Sequence, residues 1–354
     1  MEFTTGGRLE IRISTADVGK RVSVRRLNPS GGSSGGSAER FTDTVGVLTS
    51  WEGGVLRITR RTGEIVTFDE TALVAGKVVP TRHPTATPHG SASRPFDPPP
   101  RRRGPAATVR ELQETAARGW PARETARLGD WTLRAAGGFT TRANSALPLG
   151  ACGLPLPEAV DRVAAWYAER SLPAAIQITT GDPEQDALLD AELAGRGWTA
   201  ERHALVRTAP LAPVADTGAP TEGVRLSRTA DEAWLHAYGR TGASAEDALA
   251  VLGGGPSVWF AAVPGASGAP LAVGRCVVDG RWAGFSAVAV HPDHRRRGLA
   301  TQVMARLAEQ ALSEGASAAY LQVETDNGAA EALYDELGFT THHAYHYRRE
   351  ARRP

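Results

Sequence analysis

The sequence predicts an α+β protein in which a small β-barrel precedes two copies of one mixed fold. Short strands separated by turn residues fill residues 1–80, and a proline-rich segment follows over 81–107. The order of helix and strand in residues 108–210 then returns in residues 222–350. Many short strands with frequent turns are typical of small barrels, and a repeated pattern indicates a duplicated domain.

Five short runs of alternating or apolar residues predict the barrel strands. They lie at residues 9–13, 22–24, 45–48, 55–58 and 65–68. Gly53, Gly54 and Gly63 are suited to hairpin turns between the later runs. The glycine- and serine-rich segment 28–38 predicts a flexible loop. Residues 17–26 resemble the opening of SH3-like barrels, and this resemblance sets the expected type of barrel.

The segment 81–107 predicts a semi-extended linker, because it is rich in proline and poor in apolar residues. Its short basic patch, residues 101–103, is interpreted as a solvated charge run rather than a nucleic-acid contact. The whole chain has a formal net charge of +1, so no global field attracts nucleic acid or an anionic membrane.

Composition predicts a cytoplasmic globular protein. The chain has 354 residues, of which 41% are hydrophobic and 22% charged. No apolar run is long enough to cross a bilayer, and the first residues lack the basic and apolar regions of a secretory signal. The two cysteines, Cys152 and Cys276, do not suggest a disulfide framework.

The ends of the two copies correspond most closely, which indicates an internal duplication. The triplet 176–178 (Ile-Gln-Ile) parallels 321–323 (Leu-Gln-Val), and 196–198 (Arg-Gly-Trp) parallels 337–339 (Leu-Gly-Phe). Predicted helices of the first copy lie at 156–170 and 183–196, and those of the second copy at 231–238, 245–252 and 299–312.

Residues 288–301 predict an anion site, because they read as a strand, a turn, a basic loop and the start of a helix. The first N–H groups of a helix lack intrahelical partners, and the helix dipole is positive there. Gly298 allows a ligand close to the backbone, and Ala300 is small. Three arginines, 295–297, add positive charge, so a pyrophosphate would fit this loop.

The loop resembles motif A of the GCN5-related N-acetyltransferases (GNATs). That motif reads Arg/Gln-x-x-Gly-x-Gly/Ala, and here it is Arg295-x-x-Gly298-x-Ala300. A second signature makes the resemblance specific, because residues 321–339 resemble motif B at the expected distance. The alternative for the loop alone is a solvated arginine run at an ordinary helix start. The whole chain resembles actinobacterial two-copy GNATs with an N-terminal barrel, which implies tandem folds with mixed, mostly antiparallel sheets flanked by helices.

The resemblance implies an acyl-CoA donor, with acetyl-CoA expected, and no metal. In this family the strand before motif A splays from its neighbour, and pantetheine amides pair with it like an added strand. Here that strand carries Val288, Ala289 and Val290. The implied pyrophosphate-binding positions are Arg295, Arg296, Arg297, Gly298, Leu299, Ala300 and Thr301. Asn327 is expected near the thioester, or as a helix cap, and both roles are compatible.

The implied reaction is acyl transfer to a primary amine by direct attack on the thioester. Tyr334 matches the position from which GNATs protonate the leaving thiolate, and its alternative is a packing aromatic. Some relatives place a glutamate base where this chain has Gln322, which cannot act as a base. Glu324 faces the same side of its strand and is a candidate substitute. It could equally anchor the substrate or the motif B turn, and a water chain could accept the proton.

The first copy is expected to support the second rather than bind the cofactor. Its loop at 148–153 has no positive charge, and Leu189 stands where the second copy has Tyr334. Three histidines near the last strand, His342, His343 and His346, lack a fitting acidic or cysteine partner, so a polar surface strand is expected there rather than a metal site.

The acceptor stays open between a small-molecule amine and a protein lysine or N-terminus. A rival interpretation is a binding module, in which the GNAT fold senses acyl-CoA or acts as a scaffold while the barrel docks a partner, either nucleic acid or protein. A third interpretation combines the two, with the barrel recruiting a protein substrate.

Overall fold

The structure, a computed structural model, describes residues 11–27, 41–60, 63–79, 104–179, 181–240, 244–266 and 268–351. These residues form two units, which divide between Gly104 and Pro105. The predicted loop at 28–38 and the linker as far as residue 103, with its basic patch, lie outside the described residues.

The first unit is a six-stranded barrel-like sheet. Its strands are β1 (Ile11–Arg12), β2 (Arg21–Leu27), β3 (Phe41–Glu52), β4 (Val55–Thr59), β5 (Ile65–Asp69) and β6 (Leu73–Val78), in the order β1-β6-β2-β3-β4-β5. A Cβ on Gly46 would lie 2.4 Å from the carbonyl oxygen of Thr59, so glycine is needed where β3 approaches the end of β4. One apolar core that includes Leu48, Leu56 and Ile58 holds the strands together.

The second unit contains the tandem copies. Its helices are α1 (Val109–Gly119), α2 (Leu156–Ala168), α3 (Pro183–Gly195), α4 (Leu211–Ala215), α5 (Glu232–Tyr238), α6 (Ala245–Gly253), α7 (Leu299–Ser313) and α8 (Gly328–Glu336). Its strands are β7 (Glu124–Leu128), β8 (Trp131–Ala135), β9 (Leu147–Pro148), β10 (Ala175–Thr179), β11 (Thr199–Pro210), β12 (Arg225–Ser227), β13 (Ser257–Pro264), β14 (Pro270–Asp279), β15 (Trp282–Val290), β16 (Ala318–Glu324) and β17 (Thr340–Arg349).

Capping residues explain where several helices begin. The side chains of Asp182, Asp231 and Ser244 accept hydrogen bonds from the first turns of α3, α5 and α6. Gly239 ends α5 in a left-handed conformation. None of the described helices has the length and apolar character that a membrane span requires.

One eight-stranded sheet joins the two copies, in the order β10-β17-β11-β16-β15-β14-β13-β12. Only β15 and β16 pair in parallel, so the predicted mixed, mostly antiparallel sheet is confirmed. Strands β7, β8 and β9 form a separate three-stranded sheet.

The two copies exchange their last strands. Strand β11 of the first copy pairs with β16 of the second, and β17 of the second pairs with β10 of the first. The exchanged strands β11 and β17 also pair with each other. The start of β11, Thr199, faces Arg349 at the end of β17, and the start of β17, Thr340, faces Thr208 near the end of β11. This pairing is an internal two-fold relation between the copies. Neither copy therefore completes its sheet without the other.

The expectation of a polar surface strand at the C-terminus was wrong, because the exchange places β17 between β10 and β11. His343 is buried, accepts a hydrogen bond from the Gln113 amide at 2.8 Å and contacts the ring of His342 at 2.9 Å. Burial lowers the pKa of His343 to about 4, so the ring is neutral at pH 7. In the part of the chain that the structure describes, no group of three or more His, Cys, Asp or Glu side chains is arranged to hold a metal.

An ion pair fastens the exchanged strand to the first copy. Asp190 on α3 accepts from Arg348 at 2.7 and 2.8 Å and contacts His346 at 3.0 Å. The bonds from Arg348, with His346, lower the pKa of Asp190 to about 2. Because this folded-state pKa lies below that of the unfolded chain, the stabilisation is complete above about pH 4 and is lost as the pH falls to about 2.

We expect Asp190→Asn to lower the free energy of unfolding by about 2 kcal/mol at pH 7. Urea unfolding at pH 7, 4 and 2.5 would measure this, and the difference from wild type should shrink below pH 4. Glu158→Gln, which breaks an exposed pair with Arg162, should change stability by less than about 0.5 kcal/mol. An Asp190→Asn effect that is the same at all three pH values would contradict the assignment.

Candidate active site

Strands β15 and β16 separate at their carboxyl ends. Their parallel pairing runs from Trp282–Ala318 to Phe285–Leu321 and stops there. Strand β16 continues along β11, whereas β15 continues along β14 alone. A bulge centred on Ala287, with φ +52, turns β15 at this point. The segment 286–290, with the predicted positions Val288, Ala289 and Val290, therefore has one edge without a neighbouring strand.

The loop after β15 leads into α7 through Gly298, whose φ is +76. This left-handed conformation favours glycine, and an added Cβ would have open space around it. Among the described residues, the N–H groups of Leu299, Ala300 and Thr301 have no hydrogen-bond acceptor, and the first bond of this turn runs from Gln302 to Gly298. Three backbone donors are thus free at the positive end of a helix.

The charge of the loop is uncompensated. Arg295, Arg296 and Arg297 are exposed, and none of them forms a salt bridge within the described part of the chain. Arg295 lies 3.5 Å from the carbonyl oxygen of Val290, and Arg297 lies 3.5 Å from His294. Free backbone donors and guanidinium groups without salt bridges are the groups that suit a phosphate-type anion.

Asn327 follows β16 and begins α8. Its side-chain oxygen accepts a hydrogen bond from the N–H of Ala330 at 3.2 Å, so the helix-cap role is present. The parallel pairing of β15 and β16 brings their carboxyl ends to one edge of the sheet. Asn327 is therefore at the same edge as the loop before α7, and its amide N–H₂ group is left for another acceptor.

Tyr334 lies on α8, and its ring packs edge-on against Phe339 at 5.9 Å between centroids. Burial raises the pKa of Tyr334 to about 12, although the charge of Arg207 acts in the opposite direction. Among the described residues its hydroxyl has no hydrogen-bond partner. A neutral phenol without a partner is suited to donate a proton. The ring of Tyr334 also packs on Phe339, so the two roles that the sequence left open are compatible.

Arg207 is a site residue that sequence reasoning missed. It is buried on β11 of the first copy, donates to the carbonyl oxygens of Phe339 at 2.8 Å and Glu331 at 3.3 Å, and pairs with Asp335. It therefore ties α8 to the residue that follows the turn after this helix. The available signal was an arginine directly after the apolar run Ala204–Val206 of β11, but its partners belong to the other copy.

Glu324 pairs with Arg202 of the first copy at 2.9 Å, and both side chains are partly exposed. The second carboxylate oxygen is not part of this pair. Gln322 lies on the same face, opposite Val206 of β11. The anchoring role that the sequence left open thus has a partner, and one oxygen remains for a water or an amine.

The first copy stays closed where the second copy opens. Ala146 bridges to Ile176, with hydrogen bonds of 2.8 and 3.0 Å to Ala175 and Gln177. Arg134 fills the adjacent interior with bonds to Ser145 and Gln177. This closure supports the prediction that the first copy has no cofactor site.

Comparison with known proteins gives two family matches. Residues 106–348 match the family described as "Probable histone acetyltransferase Rv0428c C-terminal", and residues 16–77 match the "Rv0428c N-terminal Sm-like domain". The second description agrees with the small barrel predicted as SH3-like.

Individual relatives agree with these matches. The chain is 30% identical over 336 residues to the probable histone acetyltransferase Rv0428c of Mycobacterium tuberculosis, covering 95% of this chain and 96% of that protein. It is 27% identical over 261 residues to the uncharacterized N-acetyltransferase YobR of Bacillus subtilis, covering 68% and 98%. A solved GCN5-related N-acetyltransferase from Kribbella flavida shares the fold with a TM-score of 0.52 and 17% identity, covering 70% and 98%.

Proposed function

Because this chain belongs to the Rv0428c family of GCN5-related N-acetyltransferases, we propose that it transfers the acetyl group of acetyl-CoA to a primary amine by direct attack on the thioester. Family membership confirms the GNAT resemblance and an acyltransferase activity, and it supports an acyl-CoA cosubstrate and an amine acceptor. The observation that carries the finer proposal is the open strand edge at 286–290 beside the uncompensated loop 295–301.

The chain's own groups suggest how the donor is held. The free edge at Val288 and Val290 offers backbone N–H and C=O groups to an extended amide chain, as an added strand would use them. The loop from Arg295 to Thr301 offers its free N–H groups and guanidinium charges to a pyrophosphate. The Asn327 amide, at the same sheet edge, is suited to orient the group between them.

Two proton transfers complete the proposed reaction. Tyr334 donates its proton to the leaving thiolate, and Arg207 acts as a positioning residue by holding the turn after α8. The attacking amine must lose a proton, and the free oxygen of Glu324 is the proposed acceptor, directly or through a water. The acceptor is proposed to be a small-molecule amine or a protein lysine or N-terminus, and the Sm-like barrel is a candidate surface for recruiting a protein substrate.

Calorimetric titration with acetyl-CoA and with CoA tests this proposal. We expect micromolar binding by the wild type, about −8 kcal/mol, and a loss of at least about a hundredfold in Gly298→Asp. The new carboxylate would repel the pyrophosphate at a helix start that favours anions. Gly280→Asp is the matched control, since Gly280 also has positive φ, of +56, and open space, but lies in the β14–β15 turn. Unchanged affinity in Gly298→Asp would refute the site.

Turnover is measured separately, as thiol released from acetyl-CoA with a panel of amines. The panel includes amino acids, polyamines and histone-like peptides, the last because the Mycobacterium relative is named a probable histone acetyltransferase. A wild type that binds acetyl-CoA but acetylates none of them would favour the acyl-CoA-sensing alternative.

A further inference from the structure

We propose that Arg142, supplied by the first copy, binds a carboxylate carried by the acceptor amine. The inference rests on the proposed acetyl transfer and specifies the chemical class of its acceptor: a free amino acid, or a peptide amine beside an acidic residue.

The side chain of Arg142 is partly buried, and among the described residues it has no hydrogen-bond or ion-pair partner. Its guanidinium lies 5.1 Å from the centre of the Trp120 ring, and its Nε is buried with no hydrogen-bond partner. Within the described residues, no carboxylate lies at salt-bridge distance and no acceptor takes its N–H groups. A partly buried cation with an unpartnered Nε and no counter-charge is only partly hydrated, so an anion bound there would supply the hydrogen bonds that it lacks.

A second arginine on the same ring shows how the fold satisfies a structural cation. Arg275 also lies 5.1 Å from the centre of the Trp120 ring. Its guanidinium donates at both ends and at Nε to the carbonyl oxygens of Gly119, Leu252 and Gly254, and also to the Ser286 hydroxyl. Arg142 has none of these bonds, so support of the fold does not account for its charge.

Arg142 is adjacent in sequence to a member of the hydrophobic cluster that packs against the open strand. It belongs to a short 3₁₀ turn, Thr141–Ala143, of the first copy. Ala143 is part of one hydrophobic cluster with Trp120 and Trp234, and both Ala287 and Ala289 of the open segment pack against this cluster. The turn therefore belongs to the group of side chains that covers this side of β15, and we call this cluster the wall.

This wall is on the opposite face of the sheet from α7. A side chain at Gly274 would meet Val303 of α7 at 2.4 Å, whereas the next residue, Arg275, reaches the ends of α1 and α6. Successive residues of a strand face opposite sides. An anion at Arg142 is consequently distinct from one held by the loop before α7.

The chemistry of the guanidinium selects the ligand. Its planar fork of N–H donors matches a carboxylate in two parallel hydrogen bonds. Its charge repels an amine that carries no negative group. Tyr238, at the end of α5, also packs against this cluster and interacts electrostatically with Arg142, so its hydroxyl is a second polar group on this wall.

Matched acceptors test the proposal. Lysine and cadaverine differ by one carboxylate, and two peptides with the same N-terminal residue followed by Glu or Gln extend the comparison to peptide acceptors. We expect wild type to prefer the carboxylated member of at least one pair by about tenfold to a hundredfold in kcat/KM. Arg142→Gln should abolish this preference with an unchanged KM for acetyl-CoA. The control is Arg162→Gln, since Arg162 is exposed on α2 of the same copy.

Two further measurements do not depend on turnover. The Arg142 Nε–H signal in arginine-labelled NMR spectra, identified by its loss in Arg142→Gln, should shift with acetate but not with acetamide. Arg142→Met should raise resistance to urea, because it removes an uncompensated charge, whereas loss of a structural arginine would lower it.

The outcomes of these measurements separate the carboxylate site from the proposed acetyl transfer. Equal loss on lysine and cadaverine, an unshifted Nε–H signal with acetate, or destabilisation by Arg142→Met would overturn the carboxylate site while leaving the acetyl transfer standing. An acetate-dependent shift in a wild type that acetylates no amine would instead keep the site and remove the proposed function.

Discussion

Tyr334→Phe should lower kcat by about a hundredfold to ten-thousandfold and leave the acetyl-CoA dissociation constant unchanged. The substitution keeps the ring that packs on Phe339 and removes only the hydroxyl. Because burial raises the pKa of Tyr334 to about 12, the group stays protonated at neutral pH. The wild-type rate should therefore not fall between pH 7 and about 10 through loss of this proton. Steady-state kinetics of thiol release, with calorimetry for binding, measure both quantities.

Tyr167→Phe is the matched control, because it removes a buried hydroxyl in the core of the first copy. The Tyr167 hydroxyl donates to the carbonyl oxygen of Arg134 at 2.9 Å. Its loss should cost about 1 kcal/mol of stability and leave kcat unchanged. If Tyr334→Phe retained full activity, Tyr334 would be a packing residue only.

A fragment of residues 222–354 should fail to fold as a soluble monomer, although it contains every residue assigned to donor binding. Without β11, strands β16 and β17 lose the strand that lies between them and expose unpaired edges. We expect aggregation in size-exclusion chromatography and no cooperative thermal transition. The fragment 105–354, which retains both copies, should unfold in a single transition.

Co-expression of the two halves tests whether the missing strands restore folding. Fragments 105–221 and 222–354 made together should assemble, because each supplies the strand that the other lacks, and the complex should bind acetyl-CoA. A monomeric, folded 222–354 fragment that binds acetyl-CoA with wild-type affinity would contradict the importance of the exchange.

Much of the candidate site could be predicted from sequence, because its parts are local. The strand before Gly298, the left-handed glycine and the free first turn of α7 all lie within one short segment. The same holds for Asn327, which caps the helix that carries Tyr334. The splay of β15 came from the family resemblance and not from periodicity, since residues 282–285 and 286–290 are similarly apolar.

The neighbours of the site were not predictable in this way. Arg207 reaches α8, Arg202 reaches Glu324, and Arg142 lies beside Trp120, yet each reads in sequence as one more arginine in an arginine-rich chain. The alternating polar residues of β17 resembled a surface strand because the first copy that covers them is far away in the chain.

The sequence by itself determined most of the helices and strands, the small barrel, the duplication and the glycine loop proposed to bind an anion. Periodicity, capping and glycine conformation act over a few residues, so they can be recognised without knowing the contacts. Only the tertiary structure decided which strand completes which half of the sheet and which cations surround the open strand. Those outcomes depend on hydrogen bonds and packing between residues far apart in the sequence, such as Arg207 and Phe339, which are 132 positions apart, and no local pattern records them.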